Sequence, residues 1–255
     1  MTEDLSVVLE EGVALLEMRR PPANHFDEAL IGQIVDVASG LDHDPACRVI
    51  ILASEGRHFC AGADFGGGEF ARDHVTAAER LYRRAAELFD VRTPIIAAVQ
   101  GTAVGGGLGL ACSADFRVAE PSTRFVANFA RLGFHQGFGT SVTLPEIVGR
   151  QAAADMLLTG RRIGGEEAAR IGLADRLAEP GRLREVARLL AAEIAASAPL
   201  AIRSIRATLR EGLAERVRQA LDHELAEQKI HWATKDSAEG IAASLERRAP
   251  VFQGE

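Results

Sequence analysis

The spacing of apolar residues along the first half of the chain predicts two kinds of element. Apolar runs predict strands at residues 6–9, 13–18, 49–53, 95–99 and 116–119. Apolar residues at helical spacing predict a helix that begins after Asp27, which can cap it, and a second helix over residues 77–88. Strands that alternate with helices in this way are typical of an α/β fold with a mainly parallel sheet.

The second half of the chain, after Leu144, has a different pattern. Stripes of Ala, Leu and Ile with Arg and Glu on the other faces predict helices at residues 152–159, 165–171, 183–197, 199–211 and 215–234. Such stripes can pack on the chain's own core or on a second copy, and the sequence leaves both possibilities open. The length of 255 residues suits one domain with an appendage.

Two glycine-containing turns follow apolar strands, at residues 58–64 (HFCAGAD) and 104–110 (VGGGLGL). Glycines let a ligand approach the main chain closely. The second turn leads into a predicted helix, so it also offers free N–H groups at the positive end of a helix dipole. Such a turn binds a phosphate or a developing oxyanion, and the first turn could present a second N–H group to the same point.

Composition narrows the classes of function. The net charge is −7 and no basic cluster is present, so we expect no nucleic-acid partner. The three cysteines lack CxxC spacing, which predicts neither a zinc site nor a disulfide framework. No apolar stretch approaches the length of a membrane span, and the acidic start at residues 1–4 does not resemble a signal peptide. We therefore expect a cytoplasmic protein without a membrane partner.

Common catalytic and nucleotide motifs are missing from the sequence. The glycines at residues 105–107 do not extend into a GxGxxG pattern, because Leu110 and Cys112 stand where it needs glycine. No P-loop, HExxH or GxSxG motif occurs either. The glycine turns therefore need another explanation.

Together these segments resemble the crotonase superfamily, the enoyl-CoA hydratase/isomerase family. The matching segments are the two turns, residues 94–101 (PIIAAVQG), 114–115 (AD), 157–160 (LLTG), 172–173 (GL) and 246–252 (ERRAPVF). The resemblance covers nearly the whole chain. It implies an α/β fold in which repeated ββα units form a spiral, followed by a helical C-terminal region that builds oligomers. We place the spiral core at residues 1–195 and the helical region at residues 196–255.

The resemblance also implies the ligand, an acyl-CoA thioester. In that family one N–H group from each turn holds the thioester oxygen, and the matching positions here are Ala63 and Gly106. The residues expected to bind CoA are Ala23, His25, Ala61, Asp64 and Phe65. Beyond the CoA of the substrate we expect no cofactor and no metal. The expected assembly is a homotrimer or a dimer of trimers.

The acidic residues that the family uses are absent. Hydration suits two carboxylates that face the bound thioester. In relatives that hydrate, glutamates lie at the positions of Gly109 and Phe129, and other branches use an aspartate near Gly137. The reaction therefore stays open between isomerisation, decarboxylation, carbon–carbon hydrolysis and an unusual hydration. The alternative is a non-catalytic acyl-CoA-binding protein.

His135 lies two residues from the position of the missing aspartate. With an ordinary pKa of about 6.5, it could transfer a proton to or from an enolate held by Ala63 and Gly106. Its apolar neighbours predict burial, which would lower the pKa of the imidazole. The alternative is that His135 bonds to the backbone and packs beneath the loop. The neighbouring Gln136 could orient a water or a substrate carbonyl.

The other polar candidates have simpler explanations. Asp73 and His74 resemble a segment of the dehalogenase branch, but the nucleophilic aspartate of that branch has no counterpart, so we predict a helix cap. We assign His58 and Cys60 to packing. Glu146 is a further carboxylate candidate near the pocket wall.

Overall fold

A six-stranded sheet forms the centre of the structure, a computed structural model that describes residues 4–255. Residues 1–3, most of the acidic start, lie outside the described residues. The strands are β1 (Leu5–Glu10), β2 (Val13–Met18), β3 (Val49–Ser54), β4 (Ile95–Val99), β5 (Thr102–Val104), β6 (Phe116–Ala119), β7 (Arg124–Val126), β8 (Arg162–Gly164) and β9 (Arg176–Leu177). The helices are α1 (Glu28–Leu41), α2 (His74–Glu87), α3 (Gly106–Ser113), α4 (Thr140–Thr159), α5 (Gly165–Arg170), α6 (Leu183–Ala195), α7 (Pro199–Leu209), α8 (Leu213–Trp232) and α9 (Lys235–Glu246). A short 3₁₀ helix spans Phe129–Leu132.

The strand order of the main sheet is β1-β2-β3-β4-β6-β9. β1 and β2 form a hairpin and pair antiparallel, whereas each later pair of neighbours is parallel. Every residue of β3 and β4 is buried. Strands covered on both faces need no polar side, which explains their uninterrupted apolar sequences. The predicted α/β fold with a mainly parallel sheet is confirmed.

A second sheet of three strands contains β5, β7 and β8. The chain passes from β4 into β5 through Gly101, which has φ +59°, and a Cβ there would overlap the Arg57 carbonyl oxygen. The order β4–β5–α3, followed by β6–β7 and then α4, repeats the ββα unit expected for a spiral. The sequence pattern missed β5, β7, β8 and β9, because strands of two or three residues are too short to show a period.

Helices cover both faces of the main sheet. One core joins α1, α2 and α3 to the sheet, and a second core lies under α6. In that second core Ala187 and Ala191 of α6 pack with Ile51 and Ile96 of the sheet. The small-residue stripe of α6 therefore covers the chain's own sheet, which is one of the two possibilities that the sequence left open.

The helices of the second half differ from the sequence prediction in two places. α4 begins at Thr140 rather than at residue 152, because non-helical backbone at Gly149 (φ 78°, ψ 160°) interrupts its pattern. α9 was not predicted; it follows α8 after Thr234, whose side chain accepts a hydrogen bond from the Ser237 N–H group. It packs closely on the 3₁₀ helix, since a Cβ at Gly240 would lie 2.5 Å from the Leu132 carbonyl carbon.

Candidate active site

The two glycine turns lie in contact with each other. Cys60 and Ala103 form an isolated parallel bridge. Gly62 has φ +83°, and a Cβ placed there would lie 2.8 Å from the Val104 carbonyl oxygen and 3.6 Å from the Gly106 nitrogen. Such a close approach of two backbones requires glycine.

Two backbone N–H groups are free at this contact. Among the loop and turn hydrogen bonds of residues 4–255, the N–H groups of Ala63 and Gly106 have no acceptor. Gly106 begins α3, where the N–H groups have no partner inside the helix and the dipole is positive. A Cβ at Gly106 would overlap the Phe26 ring, and one at Gly107 would overlap the Cys60 carbonyl oxygen. The arrangement can hold a carbonyl or enolate oxygen.

A cavity of about 280 Å³, the main cavity, is lined by both turns. Aromatic side chains form much of the remaining wall: Phe26, Phe65, Phe70, Phe129, Phe134, Phe138 and Trp232. The rings contact one another, with centroid distances of 5.3 Å between Phe26 and Phe138 and 5.5 Å between Phe65 and Phe134. Walls of this kind exclude water and strengthen each polar interaction made inside.

The residues predicted to bind CoA line this cavity or the one beside it: Ala23, His25, Ala61, Asp64 and Phe65. Ala23 lines an adjacent outer cavity of about 260 Å³, which shares His25 and Asp64 with the main cavity. The His25 Nδ1 atom lies 3.1 Å from the Gly62 carbonyl oxygen. Asp64 accepts a hydrogen bond of 3.0 Å from the Gly66 N–H group. The fold thus brings all five residues together, and their contact with CoA stays a prediction.

Aromatic rings lie at Gly109 and Phe129, the two positions that the resemblance aligns with the glutamates of hydrating relatives. Phe129 itself lies in the cavity wall. A Cβ at Gly109 would lie 2.6 Å from the Phe138 Cβ and 2.9 Å from its ring. Phe138 has φ +60° although it is not glycine, a conformation that costs free energy and persists only where the surroundings hold it. The surroundings of Phe138 therefore hold its backbone in this conformation, which keeps its ring over Gly109.

Tyr82 and Gln228 lie beside Gly137, near which the resemblance places the aspartate of other branches. A Cβ at Gly137 would overlap the Tyr82 hydroxyl oxygen and lie 2.6 Å from Gln228 Nε2. The Tyr82 hydroxyl donates a 2.9 Å hydrogen bond to Gln228 Oε1 and accepts one from the Phe138 N–H group. Burial, and to a lesser extent the Glu224 carboxylate, raises the pKa of Tyr82, so the hydroxyl keeps its proton. Both side chains line the main cavity.

Sequence reasoning missed this pair. Tyr82 is the single tyrosine of the chain and falls within the predicted helix at residues 77–88, where its position indicates packing. Gln228 lies in a predicted helix without a motif around it. The two residues are 146 positions apart, so the folded chain alone brings them together. The uniqueness of Tyr82 is the one signal that could have drawn attention to it.

His135 does not line the main cavity. Its Nδ1 atom lies 2.9 Å from the Gln136 carbonyl oxygen. Its ring stacks on His231 with centroids 6.4 Å apart and contacts His223 at 5.6 Å, both on α8. This placement does not support the expected proton transfer beside Ala63. It fits the alternative, in which His135 bonds to backbone and packs, because the loop directs the imidazole towards α8.

Other polar candidates also have structural partners. Glu146 forms an ion pair of 2.7 Å with Arg216 and is not part of the cavity wall. Asp73 caps α2 by accepting a 3.1 Å hydrogen bond from the Thr76 N–H group, as predicted. Cys60 is fully buried, and burial raises the pKa of its thiol to about 12. A thiol that keeps its proton is a poor nucleophile.

Two general features complete the description of residues 4–255. No three His, Cys, Asp or Glu side chains lie close enough together to hold a metal ion. In the same described range, no helix is both long and apolar enough to cross a membrane.

Comparison with known proteins gives the family. The model of the enoyl-CoA hydratase/isomerase family matches residues 9–255. A crotonyl-CoA hydratase from Syntrophomonas wolfei is 32% identical over 257 residues, which cover 98% of each chain. A carnitinyl-CoA dehydratase from Proteus mirabilis is 32% identical over 272 residues and is covered completely, as is this chain.

The solved structures agree with the sequence comparison. The crystal structure of an enoyl-CoA hydratase/isomerase from Pseudoalteromonas atlantica T6c has a TM-score of 0.88 and 29% identity, covering 98% of this chain and 100% of that chain. The chain therefore belongs to the enoyl-CoA hydratase/isomerase family, has the crotonase fold, and is an acyl-CoA enzyme of that family.

Proposed function

We propose that this protein binds an acyl-CoA with the thioester oxygen between the N–H groups of Ala63 and Gly106 and stabilises the enolate formed there. The observation that carries the proposal is the meeting of two glycine turns with free donors, one of them at the start of α3. An enolate concentrates negative charge on its oxygen. Preorganised donors in a dry site stabilise such a charge more than water does.

The two cavities suit the two halves of the ligand. The outer cavity, with Ala23, His25 and Asp64, takes the CoA part. The main cavity, with its aromatic wall and volume of about 280 Å³, takes a small acyl group. Because neither Gly109 nor Phe129 can transfer a proton, hydration of crotonyl-CoA should be slow in this enzyme.

A pair of variants at Gly106 tests the role of its N–H group. Gly106→Ala and Gly106→Pro both place a Cβ against the Phe26 ring, but proline alone removes the donor. Proline is tolerated at the first position of a helix, so the backbone of α3 should accept it. Isotope-edited infrared spectra of bound acyl-CoA labelled with ¹³C at the thioester carbonyl report the hydrogen bonds to the oxygen.

We expect a lowered carbonyl frequency in the wild type and in Gly106→Ala, and a smaller shift in Gly106→Pro. Loss of one such donor typically costs about 10²–10³-fold in turnover. If the carbonyl of the bound ligand absorbs as it does in water, or if both variants behave alike, the oxygen does not lie between these N–H groups.

A second candidate function is acyl-CoA binding without chemistry. The observation in its favour is the filling of three acidic positions by Phe129, by the Phe138 ring and by the pair of Tyr82 and Gln228. Such a protein would polarise the thioester in the infrared experiment and would turn over no acyl-CoA. If the wild type turns over any acyl-CoA and Gly106→Pro abolishes that turnover, this second function is excluded.

A further inference from the structure

Among residues 4–255, the part of the main cavity that is not shared with the outer cavity has an acid in its wall and no base. Within the described part of the chain, the ionisable side chains in its wall are His25, Asp64 and Tyr82. His25 and Asp64 lie where the main cavity meets the outer cavity, and hydrogen bonds join them to the backbone of Gly62 and Gly66. Tyr82 is the ionisable side chain that lines the main cavity alone. Burial raises the pKa of its hydroxyl, so the hydroxyl keeps its proton.

The absence of a base beside Tyr82, in the part of the main cavity that the outer cavity does not share, limits the reactions that can start there. Isomerisation begins with removal of a carbon-bound proton, and hydration or hydrolysis needs a proton taken from water, so each requires a base. Loss of CO₂ from a carboxylate on the α-carbon is different. The carbon–carbon bond that breaks supplies the electron pair of the enolate, and the only later requirement is one proton.

The walls favour the same reaction. A carboxylate beside the rings of Phe129 and Phe138 has lost its water and gains few hydrogen-bond donors, which costs free energy. CO₂ is neutral and loses little in the same surroundings. The negative charge meanwhile moves to the enolate oxygen, where hydrogen bonds from the N–H groups of Ala63 and Gly106 stabilise it. Both effects lower the barrier to loss of CO₂.

Building on the proposed function, we infer that the site decarboxylates 2-carboxyacyl-CoA thioesters of the malonyl type, with Tyr82 as the catalytic proton donor. The bond between the α-carbon and the carboxylate breaks, CO₂ leaves, and the electron pair forms the enolate held by Ala63 and Gly106. The O–H bond of Tyr82 then breaks, and its proton passes to the α-carbon to give the acyl-CoA. Water returns a proton to Tyr82 after product release.

The contacts of Tyr82 suit this role. The Phe138 N–H group donates to the Tyr82 oxygen and so stabilises the phenolate that proton transfer leaves. Gln228 Oε1 accepts the hydroxyl hydrogen bond and fixes the ring, while Gln228 Nε2 donates to the His135 carbonyl oxygen at 2.9 Å. Gln228 is therefore a positioning residue. The Tyr82 oxygen also occupies the space in which a side chain at Gly137 would begin, so the acid of this site comes from α2.

The test uses malonyl-CoA and methylmalonyl-CoA with the full-length protein in heavy water. The wild type should release CO₂ and place one deuterium on the α-carbon, in a single configuration when the substrate is methylmalonyl-CoA. Tyr82→Phe keeps the ring and removes the proton. We expect it to lower turnover by about 10²–10⁴-fold and to give deuterium in both configurations, because water then protonates the enolate from either side.

A matched control removes a buried hydroxyl elsewhere. Thr143 is buried, donates to the Gly139 carbonyl oxygen at 3.1 Å and does not line the main cavity. Thr143→Val should therefore retain both the rate and the single configuration. Gln228→Leu should lose part of the stereochemical control, since it frees the Tyr82 ring without removing the proton, and it gives a second measurement if Tyr82→Phe folds poorly.

The outcomes separate this inference from the proposed function. If the wild type lowers the carbonyl frequency of bound acyl-CoA but releases no CO₂ from either probe, the inference is wrong and the proposed function stands. If Tyr82→Phe and Gln228→Leu both retain the rate and the single configuration, Tyr82 is not the proton donor. If no acyl-CoA binds, the proposed function fails with it.

Discussion

Gly109 lies beneath the ring of Phe138, and this contact decides what position 109 can contribute. A Cβ at residue 109 would lie 2.6 Å from the Phe138 Cβ and 2.9 Å from its ring. Phe138 is buried and has a left-handed backbone, so it cannot give way by a simple change of rotamer. Introducing glutamate at this one position would not create a hydratase acid. The Phe138 ring makes the cavity wall apolar at this position.

Alanine substitutions at two helical glycines measure this contact. Gly109→Ala should lower the free energy of unfolding by about 1–3 kcal/mol, since the added methyl group overpacks a filled site. Gly40 in α1 has no atom within 4 Å of its Cβ position. Gly40→Ala should therefore raise the free energy of unfolding by about 0.5–1 kcal/mol. Equilibrium denaturation measures both, and equal effects would contradict the packing argument.

At the scale of elements, one carboxylate joins two helices. Glu224 of α8 is completely buried and accepts hydrogen bonds from the N–H groups of Gly139, at 2.8 Å, and Ser141, at 2.9 Å, at the start of α4. These N–H groups have no acceptor within α4, so α8 supplies the cap. Burial raises the pKa of Glu224 from 4.5 to about 7, against the effect of these hydrogen bonds.

This pKa predicts a dependence of stability on pH. Below pH 4.5 the native and unfolded states both hold the proton. Between about 4.5 and about 7 the unfolded state has lost the proton that native Glu224 retains, so the free energy of unfolding falls as the pH rises. The expected loss is about 3 kcal/mol. Denaturation of the wild type and of Glu224→Gln at a series of pH values measures this effect. The fall in the free energy of unfolding that Glu224 causes should be absent from the variant. Subtracting one series from the other removes the contributions of the other titrating groups. An unchanged slope would show that Glu224 ionises normally.

The sequence predicts some of these elements and not others. β3, β4 and the helix after Asp27 are predictable because each has enough residues for its pattern to show, and Asp27 caps α1 by accepting from the Leu30 N–H group. The glycine turns are predictable because their backbone requires glycine. The ring of Phe138 over Gly109 is not, since it depends on a left-handed residue that no composition rule indicates. Contacts between distant helices leave no local trace.

At the scale of the whole molecule, apolar side chains remain exposed on the C-terminal helices. Ile205 and Leu209 lie one helical turn apart on α7 and are 56% and 81% exposed. Neighbouring exposed apolar residues on one helical face are typical of an interaction surface. Leu200 on the same helix is equally exposed, at 81%, but nine residues from Leu209 and so on the opposite face. The two faces can be tested separately.

We predict that the face of Ile205 and Leu209 joins copies of this chain into a homotrimer or a dimer of trimers, since closed symmetry is usual for soluble homo-oligomers. Light scattering at micromolar concentration should give three or six times the chain mass of 27.2 kDa. Leu209→Asp should shift the mass towards one chain, because burying an unpaired carboxylate in an apolar contact is costly. Leu200→Asp is the matched control and should leave the mass unchanged. A single-chain mass for the wild type would refute the assembly, and a mass sensitive to Leu200 alone would move the interface to the other face of α7.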